Sequence, residues 1–392
     1  MARELRVALF SGNYNYHKDG ANKALNRLVG FLESKGVNVL VFSPTSSAPA
    51  FEHTGTLVSV PSVPVPGRGE YRLGLPLSRR TRADLAAFEP DIVHLSAPDW
   101  LGHSALSWAE ASGRPAVASF HTRFDTYLEH YGLGWLGSAC RARMAGFYRR
   151  CDKVLVPSPS MATILAEQKI VRDNVGTWSR GIERDRFSPS FYSRDWRREQ
   201  GIADDDVLVT FVGRLVKEKN LGVFADMIDR LEVSSPKVRA MLVGDGPEFN
   251  AMGRRLPNAV LMGHLLGDDL AQAYASSDIF VNPSETETFG NVTLEAMASG
   301  TVPVCVDATG SADLIDHGHN GLLVNGPDPD ALAAAVEGLA NEPEWRGQLA
   351  AQALEASAPY SWDAVLQNVL DCYLDILGRS VGSETATPLL AA

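Results

Sequence analysis

The chain of 392 residues contains only four cysteines, and none of them forms a CxxC pair. Disulfide frameworks and structural zinc sites need closely spaced sets of cysteines, so neither is expected here. No run of about 20 apolar residues is present, which argues against a membrane-spanning helix. The first residues lack the apolar core of a secretory signal, and we expect a cytoplasmic protein with reduced thiols.

Acidic and basic residues are unevenly distributed. Lys and Arg outnumber Asp and Glu in residues 1–190, and the formal net charge of −11 arises from the acidic remainder. Opposite signs suggest different partners for the two halves. A basic first half fits an anionic lipid surface or an acidic acceptor, with ordinary surface variation as the alternative. No nucleic-acid partner is expected.

Short apolar runs alternate with helix-length amphipathic segments along nearly the whole chain. Continuous apolar runs of this kind are typical of strands in a parallel sheet that helices cover on both faces. We predict an α/β protein of two doubly wound domains, because the length exceeds one ordinary core. The predicted strands are Leu5–Phe10, Val37–Phe42, Asp91–Leu95, Ala116–Phe120, Lys153–Pro157, Asn174–Trp178, Val207–Val212, Arg239–Val243, Val260–Met262, Ile279–Val281, Val302–Val306 and Gly321–Val324.

Two segments interrupt the alternation. Val60–Arg82 contains four prolines and is predicted to be a long loop. Ser179–Asp206 is charged and resembles an interdomain linker. Ligands of doubly wound domains bind at the carboxyl ends of the strands, so we expect the site in a deep cleft between the two domains.

The stretch PSETETFGNVTLEAM at residues 283–297 follows a predicted strand and leads into a helix near Gly290. A helix start in this position favours phosphate. Glu287 precedes the helix and Glu295 lies on its second turn, and each carboxylate can accept hydrogen bonds from sugar or ribose hydroxyls. The alternative is a favourable acidic residue near a helix start and a solvated one further along.

Two more loops follow predicted strands of the second half. Arg214 and Lys219 come after Val207–Val212 and are suited to neutralise a diphosphate. Simple solvent exposure is the alternative, and we expect it for Lys217. The turn VGDGP at residues 243–247 can admit a nucleotide to the backbone, but it lacks the third glycine of a dinucleotide fingerprint.

The first half offers two further candidates. The loop from Gly12 to Gly20 is flanked by glycines and precedes the first long helix, as phosphate-side loops do. His121 follows the apolar strand Ala116–Phe120. A histidine at the carboxyl end of a strand is expected to project into a cleft rather than pack in the core.

Together these motifs resemble the retaining glycosyltransferases of the GT4 family, whose GT-B fold has two Rossmann-like domains facing a deep cleft. The resemblance rests mainly on the E-x7-E motif from Glu287 to Glu295. It implies a first domain at 1–185, a donor domain at 200–361 and a helix at 362–378 that crosses back to the first domain. The supporting matches are Gly213-Arg214, Lys219-Asn220, the VGDGP turn, Ser179–Glu183 and Asn320–Val324.

The resemblance also implies roles for individual residues. Arg214 and Lys219 hold the donor diphosphate, Glu287 contacts the sugar hydroxyls, Glu295 binds the ribose, and His121 lies beside the transferred sugar. The implied catalytic set is His121, Glu287, Arg214 and Lys219. The implied donor-binding set is Gly20, Arg214, Lys219, Gly244, His264, Glu287, Phe289, Gly290, Asn291 and Glu295. Because Arg and Lys neutralise the diphosphate, no metal and no other cofactor is expected.

Within the family, Phe120-His121-Thr122 with Tyr127 and Tyr131 is similar to bacterial GDP-mannose-dependent mannosyltransferases and to sulfoquinovosyl-diacylglycerol synthases. This similarity implies a nucleotide-sugar donor, GDP-mannose above others, and a lipid acceptor on the inner face of the membrane. A basic first half agrees with docking on anionic lipid. The arginines concerned are Arg79, Arg80, Arg82, Arg141, Arg143, Arg149 and Arg150.

Other functions stay open at this point. A UDP-sugar donor carrying a glucosyl, glucuronosyl or sulfoquinovosyl group is the first alternative. A nucleotide-sugar 2-epimerase or a hydrolase shares the predicted fold but needs no acceptor. A non-catalytic sugar-nucleotide or lipid-binding protein would bind nucleotide without turnover, since a fold alone does not determine chemistry.

Overall fold

A computed structural model describes residues 4–16, 20–65, 68–120, 137–285, 287 and 289–379. The chain forms two compact units, one of residues 1–178 with 365–392 and the other of residues 179–364. Each unit contains its own parallel sheet with helices packed against it. The predicted α/β architecture of two doubly wound domains is therefore confirmed.

The first unit is built on a parallel sheet of seven strands among the described residues. The strands of the whole unit are Arg6–Phe10 (β1), Asn38–Ser43 (β2), Thr56–Ser59 (β3), Ser62–Val65 (β4), Arg68–Gly74 (β5), Ile92–Leu95 (β6), Ala116–Ser119 (β7), Lys153–Val156 (β8) and Val175–Thr177 (β9). Strands β4 and β5 form a separate antiparallel hairpin. The others lie in the order β3-β2-β1-β6-β7-β8-β9, so the strand order reverses between β1 and β6.

The helices described in the first unit are Gly20–Ser34 (α1), Arg79–Phe88 (α2), Trp100–Ser112 (α3), Gly137–Tyr148 (α4) and Pro159–Glu167 (α5). Side chains cap α2, α3 and α5, where Ser78, Asp99 and Ser158 each accept a hydrogen bond from a backbone N–H of the first turn. Such caps satisfy donors that have no partner within the helix.

The second unit has a six-stranded parallel sheet in which the order again reverses once. Its strands are Val207–Val212 (β10), Val238–Val243 (β11), Val260–Gly263 (β12), Ile279–Asn282 (β13), Val302–Val306 (β14) and Leu322–Val324 (β15). They lie in the order β12-β11-β10-β13-β14-β15. Its helices are Arg194–Glu199 (α6), Leu221–Ser234 (α7), Phe249–Arg255 (α8), Gly267–Ala275 (α9), Asn291–Ala298 (α10), Pro329–Asn341 (α11) and Pro343–Ala356 (α12). A last helix, Trp362–Ile376 (α13), runs from this unit into the first.

The predicted strands are all present, and their ends differ from the prediction by no more than one residue. Strand β10 explains why, because all of its side chains are buried. Burial on both faces requires an unbroken apolar run, which the sequence displays directly. No helix of the described ranges is both long and apolar enough to cross a membrane.

The prediction of a long loop at Val60–Arg82 was wrong. This segment contains the hairpin β4–β5 and the first turn of α2. Pro64 pairs with Arg72 in the hairpin, and the Arg72 guanidinium donates to the Ser62 carbonyl at 3.2 Å. A two-stranded ribbon leaves one edge of each strand unpaired, so it tolerates prolines that a central strand would reject.

The interpretation of Ser179–Asp206 as a linker was also wrong. The segment belongs to the second unit and contains α6, with Ile182 and Ile202 buried. Arg197 of α6 is buried and its guanidinium donates to the Asp278 carboxylate and to the Asp206 carbonyl, at 2.9 and 2.7 Å. A buried cation needs such partners, so Arg197 serves the packing of the second unit rather than the solvation of a linker.

Helix α13 is tied to the first unit by a buried polar cluster. The Tyr373 hydroxyl lies 2.6 Å from Nδ1 of His94, whose Nε2 lies 3.2 Å from Oγ of Ser119. The Trp178 ring packs edge-on against the His94 ring with centroids 5.7 Å apart. Complete burial lowers the pKa of His94 to about 3, so the imidazole is neutral and bonded through both nitrogens.

Replacing Tyr373→Phe would leave the buried Nδ1 of His94 without its partner. We expect a loss of about 1–3 kcal/mol in unfolding free energy, the usual cost of an unsatisfied buried polar group. Chemical denaturation followed by fluorescence measures it. The matched control is Tyr192→Phe, because Tyr192 is 52% exposed and should tolerate the change. Equal unfolding midpoints for the two variants would contradict the role given to this cluster.

Candidate functional site

Three loops of the second unit meet where its strand order reverses. They follow β10, β11 and β13, which are neighbours in the sheet. The carboxyl ends of parallel strands lie at one edge, so these loops are adjacent. In doubly wound sheets the crevice at such a reversal is the usual ligand site. These are also the loops in which the sequence placed most of the donor-site residues.

The loops after β10 and β11 are joined through their backbones. Gly213 N donates to the Val243 carbonyl at 3.0 Å, and Leu215 N donates to the Asp245 carbonyl at 2.9 Å. Gly244 has a φ of +138°, and a Cβ on it would lie 1.8 Å from the Gly213 carbonyl oxygen. Only glycine allows this crossing, so the VGDGP turn is more than a plain tight turn.

Lys219 and Glu287 form the central contact of the site. The ammonium Nζ lies 2.5 Å from Oε1 of Glu287, and the two side chains are only 15% and 16% exposed. Asn220 holds the same loops together, because its amide donates to the Pro283 carbonyl at 2.9 Å. Lys219 and Glu287 are 68 residues apart in the chain, and the reversal between β10 and β13 brings them together.

Arg214 differs from Lys219 in its surroundings. Its side chain is 74% exposed, and its nearest carboxylate is Glu218 at 3.9 Å. A long contact between exposed side chains contributes little, so the guanidinium is available to an anion. Lys217 is exposed as well, as predicted.

The start of α10 presents backbone donors to an anion. Gly290 precedes the helix with a φ of +89°, and no side chain among the described residues caps the first turn. Phe289 is buried, with its ring centroid 5.8 Å from that of Tyr360, so only its backbone can face a ligand. Asn291, the first helical residue, is exposed. Uncapped N–H groups and the helix dipole together favour phosphate here.

Glu295 lies one turn further along α10 and is largely shielded from water. Oε2 accepts a hydrogen bond from the Tyr274 hydroxyl at 3.0 Å. Burial raises the pKa of Glu295 to about 7, with a smaller contribution from Glu183. A solvated helix surface, the alternative offered by the sequence, does not describe this residue.

The remaining predicted residues are placed as follows. His264 is exposed just after β12, where the Gly263 carbonyl accepts from Gly244 N at 2.7 Å. Gly20 is the exposed first residue of α1 in the first unit. His121 lies outside the described residues.

Some residues of the site were not predicted. A Cβ on Gly310 would lie 2.8 Å from Cβ of Glu287, so this glycine gives Glu287 its space. Asn220 and Tyr274 hold Lys219 and Glu295 through the bonds described above. In the sequence, Gly310 after β14 and Asn220 before α7 give only weak indications of a role in a site. Tyr274 on α9 gives no indication.

Two of the four cysteines, Cys151 and Cys305, are buried, and all four are free thiols. The described part of the chain contains no group of three or more His, Cys, Asp or Glu side chains that could hold a metal ion.

Asp328, part of an Asp-x-Asp sequence, caps α11 by accepting from the backbone N–H of Asp330 at 2.9 Å.

Two family models match the chain. Residues 18–186 match the model described as Glycosyltransferase Family 4, and residues 206–342 match the one described as Glycosyl transferases group 1. The loops of the candidate site in the second unit fall within the second match. The two matches together span most of the chain.

Curated relatives align over nearly the full length. The chain is 35% identical to the GDP-mannose-dependent alpha-mannosyltransferase of Mycolicibacterium smegmatis, covering 96% of this chain and 98% of the relative. It is 31% identical to the sulfoquinovosyl transferase SQD2 of Arabidopsis thaliana, covering 94% and 73%. The structure of sucrose-phosphate synthase from Thermosynechococcus elongatus superimposes with a TM-score of 0.73 at 19% identity, covering 96% of this chain and 100% of that one.

Gly244→Ala tests the crossing of the two loops. The added Cβ would overlap the Gly213 carbonyl, so we expect a loss of at least about 2 kcal/mol in stability and of ligand binding. Gly222→Ala is the matched control, because Gly222 is exposed on α7 with nothing within 4 Å of the added Cβ. Thermal melting measures both, and a Gly244→Ala protein as stable as the control would refute the steric argument.

Glu295→Gln tests the buried carboxyl without any ligand. The folded pKa of about 7 lies above the ordinary value of 4.5, so stability from this group is complete below pH 4.5 and is lost as the pH rises to 7. Gln stays neutral and still accepts from Tyr274. Relative to the wild type, the variant should gain up to about 3 kcal/mol across this interval. Melting curves from pH 4.5 to 8 measure the difference, and a constant difference would contradict the assignment.

Proposed function

The chain belongs to the glycosyltransferases that carry the family 4 and group 1 domains, and from that premise we propose that it transfers a hexosyl group from a nucleoside diphosphate sugar to a hydroxyl of a membrane lipid. GDP-mannose is the favoured donor. Transfer proceeds with retention of the anomeric configuration.

The observation that carries this proposal is the shielded pair of Lys219 and Glu287 beside the uncapped start of α10. A cation and free N–H groups suit a diphosphate, and a carboxylate suits the hydroxyls of the attached sugar. The pair positions both side chains before the donor arrives. Full-length similarity to GDP-mannose-dependent mannosyltransferases supports the choice of donor.

Charge on the leaving group is the main demand of the reaction. When the bond to the anomeric carbon breaks, negative charge builds on the diphosphate. Arg214, Lys219 and the start of α10 stabilise that charge, and groups fixed before the reaction need little reorganisation. These groups supply positive charge themselves, so the proposal requires no metal ion. Glu295 accepts hydrogen bonds from the ribose hydroxyls.

The acceptor hydroxyl must lose its proton as the new bond forms. In this proposal the leaving phosphate accepts that proton on the same face of the sugar, which gives retention without an enzymic base. The family resemblance assigns His121 the role of stabilising the positive charge on the sugar. It assigns Gly20 to the phosphates and His264 to the base. These three roles rest on the family resemblance alone.

A lipid acceptor agrees with the basic surface of the first unit. Arg79, Arg80 and Arg82 are exposed on the first turn of α2, and that turn contains no acidic residue. Three cations at a helix start are unfavourable in isolation and favourable near an anionic surface. Arg150 contributes less, because it is paired with Glu110 at 2.5 Å. The protein then works as a peripheral protein on the inner membrane face.

A UDP-sugar is the second candidate donor. The similarity to the sulfoquinovosyl transferase SQD2 favours a sugar other than mannose, and the shared features of the site suit either base. Epimerisation, hydrolysis or mere binding agree less well, because curated relatives of comparable length are transferases. Release of nucleoside diphosphate that depends on added lipid distinguishes transfer from all three.

Thermal melting with GDP, UDP and their mannose, glucose and glucuronate conjugates tests the donor site, with EDTA present throughout. A ligand at 100 times its Kd should add about 2.7 kcal/mol of stability. Arg214→Ala should leave the free protein unchanged and weaken nucleotide binding about 10-fold or more, because it removes one charged contact. Lys217→Ala is the matched control, an exposed cation of the same loop.

Stabilisation by GDP and GDP-mannose alone supports the favoured donor, and stabilisation by UDP alone transfers the proposal to a UDP-sugar. No response to any nucleotide, or equal effects of the Arg214 and Lys217 variants, would count against the donor site. Incorporation of labelled sugar into the organic phase of a lipid extract tests the acceptor class.

A further inference from the structure

The sheet of the first unit has its own reversal of strand order, between β1 and β6. Gly12 follows β1, and Asp99 lies at the end of the loop that follows β6. The two residues meet, since a Cβ on Gly12 would lie 2.5 Å from Oδ2 of Asp99. By the rule that places ligands at such reversals, this edge is a second candidate site.

The two carboxylate oxygens of Asp99 have different contacts. Oδ1 caps α3 by accepting from Gly102 N at 2.6 Å, whereas Oδ2 is directed towards Gly12. No side chain of the described ranges donates a hydrogen bond to this carboxylate. Burial raises the pKa of Asp99 to about 6, although hydrogen bonds from backbone N–H groups, that of Gly102 above all, act in the opposite direction. A hydroxyl donated to the carboxylate would further stabilise its charged form.

Asp99 also lines a cavity of about 230 Å³. Among the described lining residues, all but Asp99 and Arg143 are uncharged. The described lining residues are Ala97, Pro98, Asp99, Cys140, Arg143 and Met144. One acid in an apolar cavity suits a ligand that joins a hydroxyl to an aliphatic body.

We infer that Asp99 and this cavity form the acceptor subsite of the first unit, where the Asp99 carboxylate binds a hydroxyl of a glycerolipid and the walls formed by Pro98, Cys140 and Met144 hold its aliphatic part. This rests on the proposed function, which it extends from a lipid class to named residues. Arg143 is exposed on α4 at the same cavity, and its charge matches an anionic membrane surface. A sugar nucleotide alone would have no use for apolar walls.

Alkylation of Cys140 in the native protein tests occupancy without relying on activity. Cys140 lines the cavity, Cys372 lies on α13 as an internal control, and the other two thiols are buried. Dioleoylglycerol in nonionic micelles should slow alkylation of Cys140 relative to Cys372, by about 10-fold if the cavity fills. Trioleoylglycerol, which lacks the hydroxyl, should protect less. Equal protection by the two lipids, or none, would overturn the inference.

Asp99→Asn is the matching variant, because Asn keeps the helix cap and removes the charge. We expect it to abolish the difference between the two lipids and to raise the acceptor KM about 10- to 100-fold, the usual effect of losing a charged hydrogen bond. Gly12→Ala should act in the same direction by displacing Oδ2. Asp99→Ala, which loses the cap as well, should melt lower than Asp99→Asn.

The shift in melting temperature with nucleotide distinguishes failure of the acceptor subsite from failure of the proposed transferase function. If Asp99→Asn binds nucleotide and accepts lipid as the wild type does, the subsite is wrong and the transferase function stands. If the wild type fails to respond to any nucleotide, the transferase function itself fails.

Discussion

One constraint organises both halves of this protein, namely that the strand order of each parallel sheet reverses once. The connections that follow the two strands beside a reversal run over opposite faces of the sheet. They leave a crevice between them at the carboxyl edge of the sheet. In the second unit the reversal brings Lys219 to Glu287. In the first it brings Gly12 to Asp99. Residues distant in the chain thus meet because of topology, without any local signal.

Two features of the candidate site in the second unit are suited to a polar ligand. Glu295 is shielded from water with one Tyr274 hydroxyl as partner, and Gly290 leaves the start of α10 uncapped. In the proposed function, a diphosphate accepts from the N–H groups at the start of α10 and a ribose donates to Glu295, so the two features together would favour a ligand that carries both groups.

The sequence predicted the strands well, because a strand buried on both faces must be an unbroken apolar run. It failed at Val60–Arg82, where a ribbon edge accommodates the prolines, and at Ser179–Asp206, which packs into the second unit through the buried Arg197. For the candidate site, it assigned Lys219 and Glu287 to one ligand, and the structure places their side chains in contact. It missed Tyr274, whose role depends on a contact between α9 and α10 that periodicity does not encode.

The acidic composition of the second half raises the question of how it attracts an anionic donor. Part of that acid lies at the amino edge of the sheet, before the strands begin. Asp205 and Asp206 precede β10 and are paired with Lys237 and Arg239, at 2.8 and 3.3 Å. A six-residue strand separates the two edges by about 20 Å, well beyond a Debye length of about 8 Å. The charges of these two carboxylates are therefore largely screened at the carboxyl edge, where Arg214 is exposed.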